Sequence, residues 1–307
     1  MKFLRSTQLR EAPKIKYEFI KNNPEHPVAK WAKLLRVERT GYYSWVNRRE
    51  ALEKREEHLK EAIKKEFKSS RGTYGPDRIM VQLRKKGEKI GRKKCAEYMA
   101  ELGLDSCHNK HRTRSLTNSK KSRGEGYPNI LRDHYFPIVP RMGLTSDITY
   151  LRTGEGFLYH CVIKDILTGE VLGDHMADRM TKELVVNAIL AMLAKHRLKK
   201  GCIFHSDRGS QYTSQAVMGL LKQYGLCQSF SRVGMPGDNA WVESFFATMK
   251  KELIHRTHYE TKDSVKAAVF EYIYCFYNVK RIQKKLGYMS PGEYLSSLRT
   301  ERLAAVA

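Results

Sequence analysis

The sequence predicts a chain with two kinds of fold, an all-α front region that contains helix-turn-helix units and an α/β domain built on a mixed five-stranded sheet. Three observations predict this. Apolar residues recur at helical spacing up to about residue 104, a basic segment with few apolar residues follows, and strand patterns begin at residue 144. The predicted regions are 1–70 and 71–106 (helical, helix-turn-helix-like), 107–135 (basic linker), 136–260 (α/β core) and 261–307 (helical tail).

The charge balance points to a polyanionic partner. The 307 residues include 57 Lys and Arg against 33 Asp and Glu, a net charge of +24, and residues 1–140 carry +17 of it. Double-stranded DNA is the expected partner of such a basic chain. A membrane is not expected, because the sequence has no apolar run near 18 residues and no N-terminal apolar signal segment. We therefore expect a soluble, cytoplasmic, nucleoid-associated protein.

Six scattered cysteines in a long chain without a secretion signal are typical of reduced thiols. Cys107, His108 and His111, with Cys95 upstream, come nearest to zinc-ligand spacing, but no Cys-x-x-Cys is present to complete a tetrahedral site. The pattern favours histidines that lie beside phosphate in a basic linker, with zinc as the weaker alternative.

The first helix-turn-helix outline covers residues 28–49. Trp31 and Leu35 lie at helical spacing, and Thr40 is a candidate N-cap for the next helix. A separate charged helix is predicted at 51–68, and its alternating charges indicate a solvated face.

The second outline covers residues 72–104, where Gly87 separates a helix opened by Pro76 from one that begins near Gly91. The first turn of a recognition helix faces base edges and phosphates. An ordinary helical pair with solvated lysines is an equally good interpretation of this segment alone. The candidate DNA contacts in this turn are Arg92, Lys93 and Lys94. The following stretch, 107–124, holds six Lys and Arg and no acid, and we expect it to lie along DNA.

Three strand patterns, LTSDITYL, FLYHCVIKDIL and VLGDHMA, are separated by turn sequences at 154–156 and 168–170 and predict a meander. A helix at 181–197, a strand at 201–205, a helix at 214–224 and a strand at 227–231 follow. Three antiparallel strands followed by alternating helices and strands are the chain order of a ribonuclease-H-like α/β domain.

Three carboxylates stand out. Asp147 interrupts a strong strand sequence although Asp is depleted in strands, and Asp207 follows the strand 201–205 at its carboxyl end. Glu243 lies 35 residues beyond Asp207, on a helix that Asn239 is predicted to cap. We expect them to converge, because phosphoryl transfer uses carboxylates to hold two magnesium ions about 3.5–4 Å apart. Three other aspartates of the core, Asp165, Asp174 and Asp178, are interpreted as solvated surface charges.

Four segments carry a family resemblance: SDITYL at 146–151, HSDRGSQYTS at 205–214, SFSRVGMPGDNAWVESFFATMKKEL at 229–253 and the tail YNVKRIQKKLGYMSPGEYL at 277–295. They resemble bacterial insertion-sequence transposases of the frameshifting family, in particular the downstream-frame (open reading frame B) product, which has a retroviral-integrase-like core. Leu144 stands where the family usually has Trp, and Gln283 where it usually has His.

The resemblance implies that Asp147, Asp207 and Glu243 bind two Mg²⁺ ions, with Mn²⁺ as a substitute. It also implies hydrolytic nicking at a transposon end, attack by the freed 3′-hydroxyl on a second phosphodiester, and a strand-joined figure that becomes a circle. A homo-oligomer on DNA is expected, because two ends must be brought together. The upstream-frame product, with its own helix-turn-helix and leucine zipper, is a further expected partner.

Four more residues are candidate DNA contacts. Lys250 lies seven residues after Glu243, so it returns to the same helix face about 10 Å further along. The family has a basic residue at this position. Arg208 and His205 flank Asp207 and either meet DNA or form salt bridges and pack. The tail contributes Arg281.

Two other functions remain open from the sequence. One is a noncatalytic DNA-binding regulator that occupies transposon ends, and metal-dependent nicking would distinguish it from an enzyme. The other is a ribonuclease that acts on RNA–DNA hybrids; the basic front half and the 35-residue carboxylate spacing favour a transposase over it.

Overall fold

The protein, as a computed structural model, is described at residues 12–109, 128–133, 137, 139–232 and 236–304. Most of the predicted linker at 107–135, and His111 within it, lies outside these ranges. In the described part, residues 12–69 and 82–104 form one compact unit, and 70–81 with 105–304 form another. The boundaries of the five regions expected from the sequence remain predictions.

The first unit is helical. It contains α1 (Pro13–Asn22), α2 (Val28–Leu35), α3 (Arg39–Ser69), the end of α4 (Pro76–Lys85) and α5 (Arg92–Glu101). Ile20, Trp31, Leu35 and Tyr42 form its buried core, and the Trp31 indole N–H donates to the Asn23 carbonyl at 2.9 Å. The predicted helix–break–helix outlines are therefore present around residues 36–38 and 86–91.

Two details of this region differ from prediction. Helix α2 ends at Arg36, which adopts a left-handed conformation (φ 53°), and α3 already begins at Arg39, so Thr40 lies inside the helix and the N-cap prediction is wrong. The charged stretch 51–68 is not a separate helix but continues α3, because neither Gly nor Pro interrupts the chain after Gly41.

The second unit is built on a five-stranded sheet in the order β3-β2-β1-β4-β5. Strands β1 and β2 pair antiparallel, as do β2 and β3, whereas β4 runs parallel to both β1 and β5. The predicted meander, and the predicted order of strands and helices along the chain, are confirmed. The strands are β1 (Gly143–Thr153), β2 (Gly156–Asp165), β3 (Val171–Ala177), β4 (Ile203–Ser206) and β5 (Cys227–Phe230).

Helices α7 (Lys182–Lys195) and α8 (Gln215–Gln223) pack on one face of the sheet around buried apolar side chains such as Leu144, Ile189 and Phe204. Gly173 lets α7 approach, since a Cβ there would lie 2.6 Å from the Met192 Cβ. Both predicted turns contain a glycine with positive φ, Gly156 at 102° and Gly169 at 73°.

The second unit also contains the short helix α6 (Ile130–Asp133) and α9 (Ala240–Glu252), which packs against β1 and β2. The tail contains α10 (Lys262–Phe270), a π-helical stretch (Glu271–Tyr277) and α11 (Pro291–Ala304). All six cysteines are free thiols. Across the described ranges, no helix combines the length and the apolar character that crossing a membrane requires.

Candidate active site

Asp147 lies in β1 opposite Val162 of β2 and is partly buried. Strand β4 pairs with β1 only from Gly143 to Thr145, so Asp147 stands just beyond that pairing. The Ile148 N–H donates to its Oδ1 at 2.8 Å. Burial first, and then the nearby charges of Asp207 and Glu243, raise the pKa of the Asp147 carboxyl to about 7.

Asp207 directly follows β4, as the sequence predicts, and its residue surface is exposed. The Gly209 N–H donates to its Oδ1 at 3.0 Å, which fixes one oxygen in the turn. The protein around the carboxyl group still raises its pKa, because partial desolvation penalises the charged form.

Glu243 is exposed on the first turn of α9. Asn239 precedes α9, but its side chain does not cap the helix as predicted. It hydrogen-bonds to the Thr145 hydroxyl and donates to the Ser146 carbonyl at 3.2 Å. The side chain therefore joins the start of α9 to β1 beside Asp147, and it is buried. The sequence pattern of a polar residue before a helix does not distinguish these two uses.

The three carboxylates affect one another electrostatically. The charge of Asp207 raises the pKa of both Asp147 and Glu243, after burial as the first cause. Within the described ranges, no group of three or more His, Cys, Asp or Glu side chains is close enough to form a ready metal-ligand set. The oxygen donors and their mutual repulsion nevertheless fit a hard divalent cation, which would relieve that repulsion.

Lys250 lies on α9 two turns beyond Glu243 and is partly buried. Its Nζ lies 4.7 Å from the ring centroid of Tyr150. Burial lowers the pKa of Lys250, and the charge of Asp147 acts in the opposite direction. Lys250 therefore lies close enough to Asp147 for the two charges to interact, and its role as a phosphate contact stays a prediction.

Two predicted DNA contacts are wrong. The His205 ring is fully buried and hydrogen-bonds to the Ser229 hydroxyl at 2.9 Å and the Ser231 hydroxyl at 3.1 Å, so the alternative that it packs is the correct one. Arg281 is 4% exposed and donates to both carboxylate oxygens of Glu252, at 2.6–3.0 Å. Neither side chain is available to DNA.

The remaining candidate contacts are accessible. Arg208 is partly exposed, and its Nε donates to the Ser231 carbonyl at 2.9 Å. The three cations at the start of α5 are exposed: Arg92, Lys93 and Lys94.

The interpretation of the other acids holds only for Asp178, which pairs at the surface with Lys262 at 2.8 Å. Asp165 is buried and accepts from the Thr168 N–H at 2.7 Å, so it organises the turn after β2. Asp174 is partly buried and accepts from the Tyr274 hydroxyl at 2.6 Å. The partner of Asp165 is a nearby backbone N–H and that of Asp174 is a hydroxyl 100 residues away, and the pattern of charges along the sequence reveals neither.

His108, which the sequence favours as a neighbour of phosphate, has a protein partner in this structure. Its Nε2 is 2.6 Å from Glu252 Oε1, in the same cluster as Arg281. Tyr272 donates to the other Glu252 oxygen at 2.7 Å. These partners lower the pKa of Glu252 to about 2. Sequence reasoning missed this cluster, because its members are widely separated along the chain.

Comparisons with known proteins identify related domains and relatives. Two models described as the integrase core domain match residues 140–236 and 243–297, and a model of an HTH-like domain matches residues 54–112. Among solved structures, the chain is similar to the HTLV-2 integrase catalytic core domain in complex with magnesium, at 14% identity and a TM-score of 0.40, over 51% of this chain and 97% of that one. The sheet topology and the matched models define an integrase-core protein with a ribonuclease-H-like fold and a helix-turn-helix-like DNA-binding region, which confirms the predicted fold class.

Similar proteins identify the family to which this integrase-core chain belongs. The chain is 38% identical over 259 residues to the insertion element IS600 uncharacterized 31 kDa protein of Shigella sonnei, which covers 84% of this chain and 94% of that protein. It is 34% identical over 291 residues to the transposase InsF for insertion sequence IS3A of Escherichia coli (strain K12), which covers 91% and 98%. The chain belongs to the family of insertion-sequence transposases, a family of DNA-recombining enzymes, as the sequence predicted.

Proposed function

We propose that this chain nicks DNA at insertion-sequence ends and transfers the freed strand, with Asp147, Asp207 and Glu243 as the metal ligands. The observation that supports this most is the electrostatic coupling of the three carboxylates across β1, the end of β4 and α9. Burial and like charge together leave Asp147 with a pKa of about 7, and a bound cation is what would keep it ionised.

Each element has a role in the proposed reaction. The Ile148 and Gly209 N–H groups hold one oxygen of Asp147 and of Asp207, which leaves the second oxygen of each for a ligand. When bound, two magnesium ions supply activation of the attacking hydroxyl and neutralisation of the scissile phosphate, and Mn²⁺ is the proposed substitute. In the first step water attacks a phosphodiester, its P–O3′ bond breaks and the 3′-hydroxyl of the transposon strand is released. In the second step that 3′-hydroxyl attacks another phosphodiester, forming a new P–O bond while a different 3′-hydroxyl leaves.

The basic side chains hold the DNA in place. Lys250 is proposed to contact a phosphate that flanks the scissile bond, since it lies on the Glu243 helix near Asp147. Arg208 is proposed to contact DNA beside Asp207. The exposed cations of α5 are proposed to contribute to duplex binding by the helix-turn-helix-like region.

Assembly and location follow from the proposed reaction. Joining two transposon ends requires at least two copies of the catalytic unit, so we propose a homo-oligomer on DNA. An upstream-frame product is the proposed additional partner for end recognition. The proposed place of action is the nucleoid DNA in the cytoplasm.

The test is Asp207→Asn in the full chain, incubated with a labelled duplex of the element's own end in magnesium. We expect strand cleavage to be abolished while DNA binding survives, because an amide ligates magnesium poorly and leaves the basic surface unchanged. Asp147→Asn and Glu243→Gln should behave alike. The matched control is Asp178→Asn, which removes an exposed, lysine-paired carboxylate and should retain cleavage.

A wild-type chain that binds the duplex but never nicks it would support the noncatalytic regulator instead. Loss of cleavage in Asp178→Asn equal to that in Asp207→Asn would show that the choice of ligands is wrong.

A further inference from the structure

The hairpin of β1 and β2 carries two aromatic rings on its surface. Tyr150 is 45% exposed and Phe157 is 50% exposed. Their ring centroids are 5.4 Å apart with an interplanar angle of 81°. The buried core of this unit contains other aromatic side chains, such as Phe204 and Tyr272, and this exposed pair is not part of it.

The end of the hairpin is fixed to the rest of the unit. The Gly154 N–H donates to the Tyr259 carbonyl at 2.9 Å, and the Lys262 N–H donates to Glu155 Oε2 at 2.8 Å. A Cβ at Gly154 would lie 2.6 Å from the Glu260 carbonyl oxygen, so glycine permits this close approach. The two rings therefore have a defined position.

That position adjoins Lys250, whose charge interacts with that of Asp147. Tyr150 is three residues beyond Asp147 in β1, an odd spacing that puts their side chains on opposite faces of the strand, but the Lys250 Nζ lies 4.7 Å from the Tyr150 ring centroid. An exposed aromatic surface thus adjoins the cation to which a flanking phosphate is assigned above. A nucleotide presents the two complementary groups: a flat base that can stack on an aromatic ring and an anionic phosphate that can pair with a cation.

We propose that Tyr150 and Phe157 form a stacking site for one unpaired nucleobase beside the flanking phosphate that is assigned to Lys250. The proposal rests on the proposed function, because that function places DNA at Asp147. An unpaired base is the specific occupant, since a base within a duplex has both faces covered by its neighbours. The cation over Tyr150 favours a nucleotide over an uncharged apolar segment, because it complements the phosphate.

The test compares the binding of two probes to the full chain in magnesium-free buffer. One is a blunt 30-base-pair duplex, and the other is the same duplex with a 5′ tail of three nucleotides, two thymines and one 2-aminopurine. Stacking quenches 2-aminopurine fluorescence. Tyr150→Ala should weaken binding of the tailed probe by about 5- to 150-fold and abolish the quenching, with little effect on the blunt probe. Tyr150→Phe keeps the ring and should behave like the wild type.

Phe157→Leu provides a second variant that keeps apolar bulk while removing the aromatic face, and it should also reduce quenching. Tyr224→Ala is the matched control, because Tyr224 is a similarly exposed tyrosine at the end of α8, and it should leave both probes unaffected. Thermal melts confirm that each variant is folded.

Equal loss for the blunt and tailed probes in Tyr150→Ala, or quenching that persists in both Tyr150→Ala and Phe157→Leu, would overturn the stacking site. Nicking of the element's end by the wild-type chain is scored separately. A chain that nicks but does not quench contradicts the stacking site alone, whereas one that quenches but does not nick contradicts the proposed catalysis alone.

Discussion

Asp147 is the residue on which the metal-site proposal depends most. A carboxyl group with a pKa of about 7 holds a proton in the folded chain at pH values where the unfolded chain, with its ordinary pKa of 3.8, has lost it. The folded state therefore binds more protons between these two values, and stability falls as the pH rises from about 4 to about 7. Without a cation, this carboxylate destabilises the fold at neutral and higher pH.

We predict that Asp147→Asn is more stable than the wild type at pH 8 in EDTA, and that the difference disappears near pH 4. The amide removes the ionisation and keeps the shape. Thermal melts at the two pH values measure this, and added magnesium should raise the melting temperature of the wild type at pH 8 but not that of the variant. Equal melting temperatures at pH 8 in EDTA would show that ionisation of Asp147 does not destabilise the fold.

Lys250 gives the second residue-scale prediction. Lys250→Ala should bind DNA with a salt slope lower by about one unit, because one phosphate contact is lost, and cleavage should be slower but present. Binding measured across a salt series checks the slope. Lys266→Ala, at an exposed cation paired with Asp263, is the control and should leave the slope unchanged. A variant as inactive as Asp207→Asn while still bound would place Lys250 in the chemistry itself.

Local sequence predicted that Asp147 lies within a strand, Asp207 at a strand end and Glu243 on a helix, because strand and helix patterns are local signals. Only Asp147 departs from what its element normally contains. Local sequence did not distinguish His205 and Arg281 from surface cations. Their partners, Ser229 and Glu252, lie 24 and 29 residues away, and only the fold brings them together. Burial of a polar or charged group depends on such partners, which local sequence does not reveal.

At the scale of elements, Glu252 joins the end of α9 to the tail. Arg281 and Tyr272 bond its two oxygens, and His108 adds a third contact. Since α9 also carries Glu243, this buried cluster holds the helix of the active site against the π-helical stretch.

We predict that Glu252→Gln lowers the free energy of unfolding by about 3–5 kcal/mol at pH 7, because Arg281 is left buried without its counter-charge. The Glu252 pKa is lowered to about 2 from 4.5, so its contribution is present above pH 4.5 and is lost as the pH falls towards 2. The difference between the two proteins should therefore shrink with acid. Urea denaturation from pH 7 to pH 3 measures it.

Glu260→Gln is the matched control for this element, since the Glu260 side chain is 81% exposed and pairs only with His258 among its described ion pairs. It should change the free energy of unfolding by less than about 0.5 kcal/mol. An effect of Glu252→Gln no larger than that of the control would show that the cluster does not stabilise α9.

The strands were predicted to within one or two residues because alternation and turn glycines are local signals. Helix starts were less reliable. Asn239 at the start of α9 bonds to β1 rather than to its own helix, and Thr40 lies inside α3. A side chain that suits a cap also suits other polar contacts, and tertiary structure decides between them.

For the whole molecule, the two compact units are not continuous segments of the sequence. Residues 70–81 belong to the unit of the catalytic core, where the Tyr74 hydroxyl donates to the Lys280 carbonyl at 2.9 Å and accepts from the Ile282 N–H at 2.8 Å. Residues 82–104 belong to the helical unit. A linear division at residue 71 did not anticipate this, because the contacts involved span about 200 residues.

The charge of the helical unit leads to the last prediction. If the exposed cations Arg92–Lys94 contact phosphates, changing all three to Gln should lower the salt slope of duplex binding by up to about three units, because each lost contact no longer releases a counterion. The control changes Lys64, Lys65 and Lys68 to Gln, which removes the same charge from an exposed, acid-rich face of α3. Fluorescence anisotropy with the full chain across a salt series measures both. Equal slopes for the two variants would mean that net charge alone binds DNA and that the first turn of α5 is an ordinary solvated helix end.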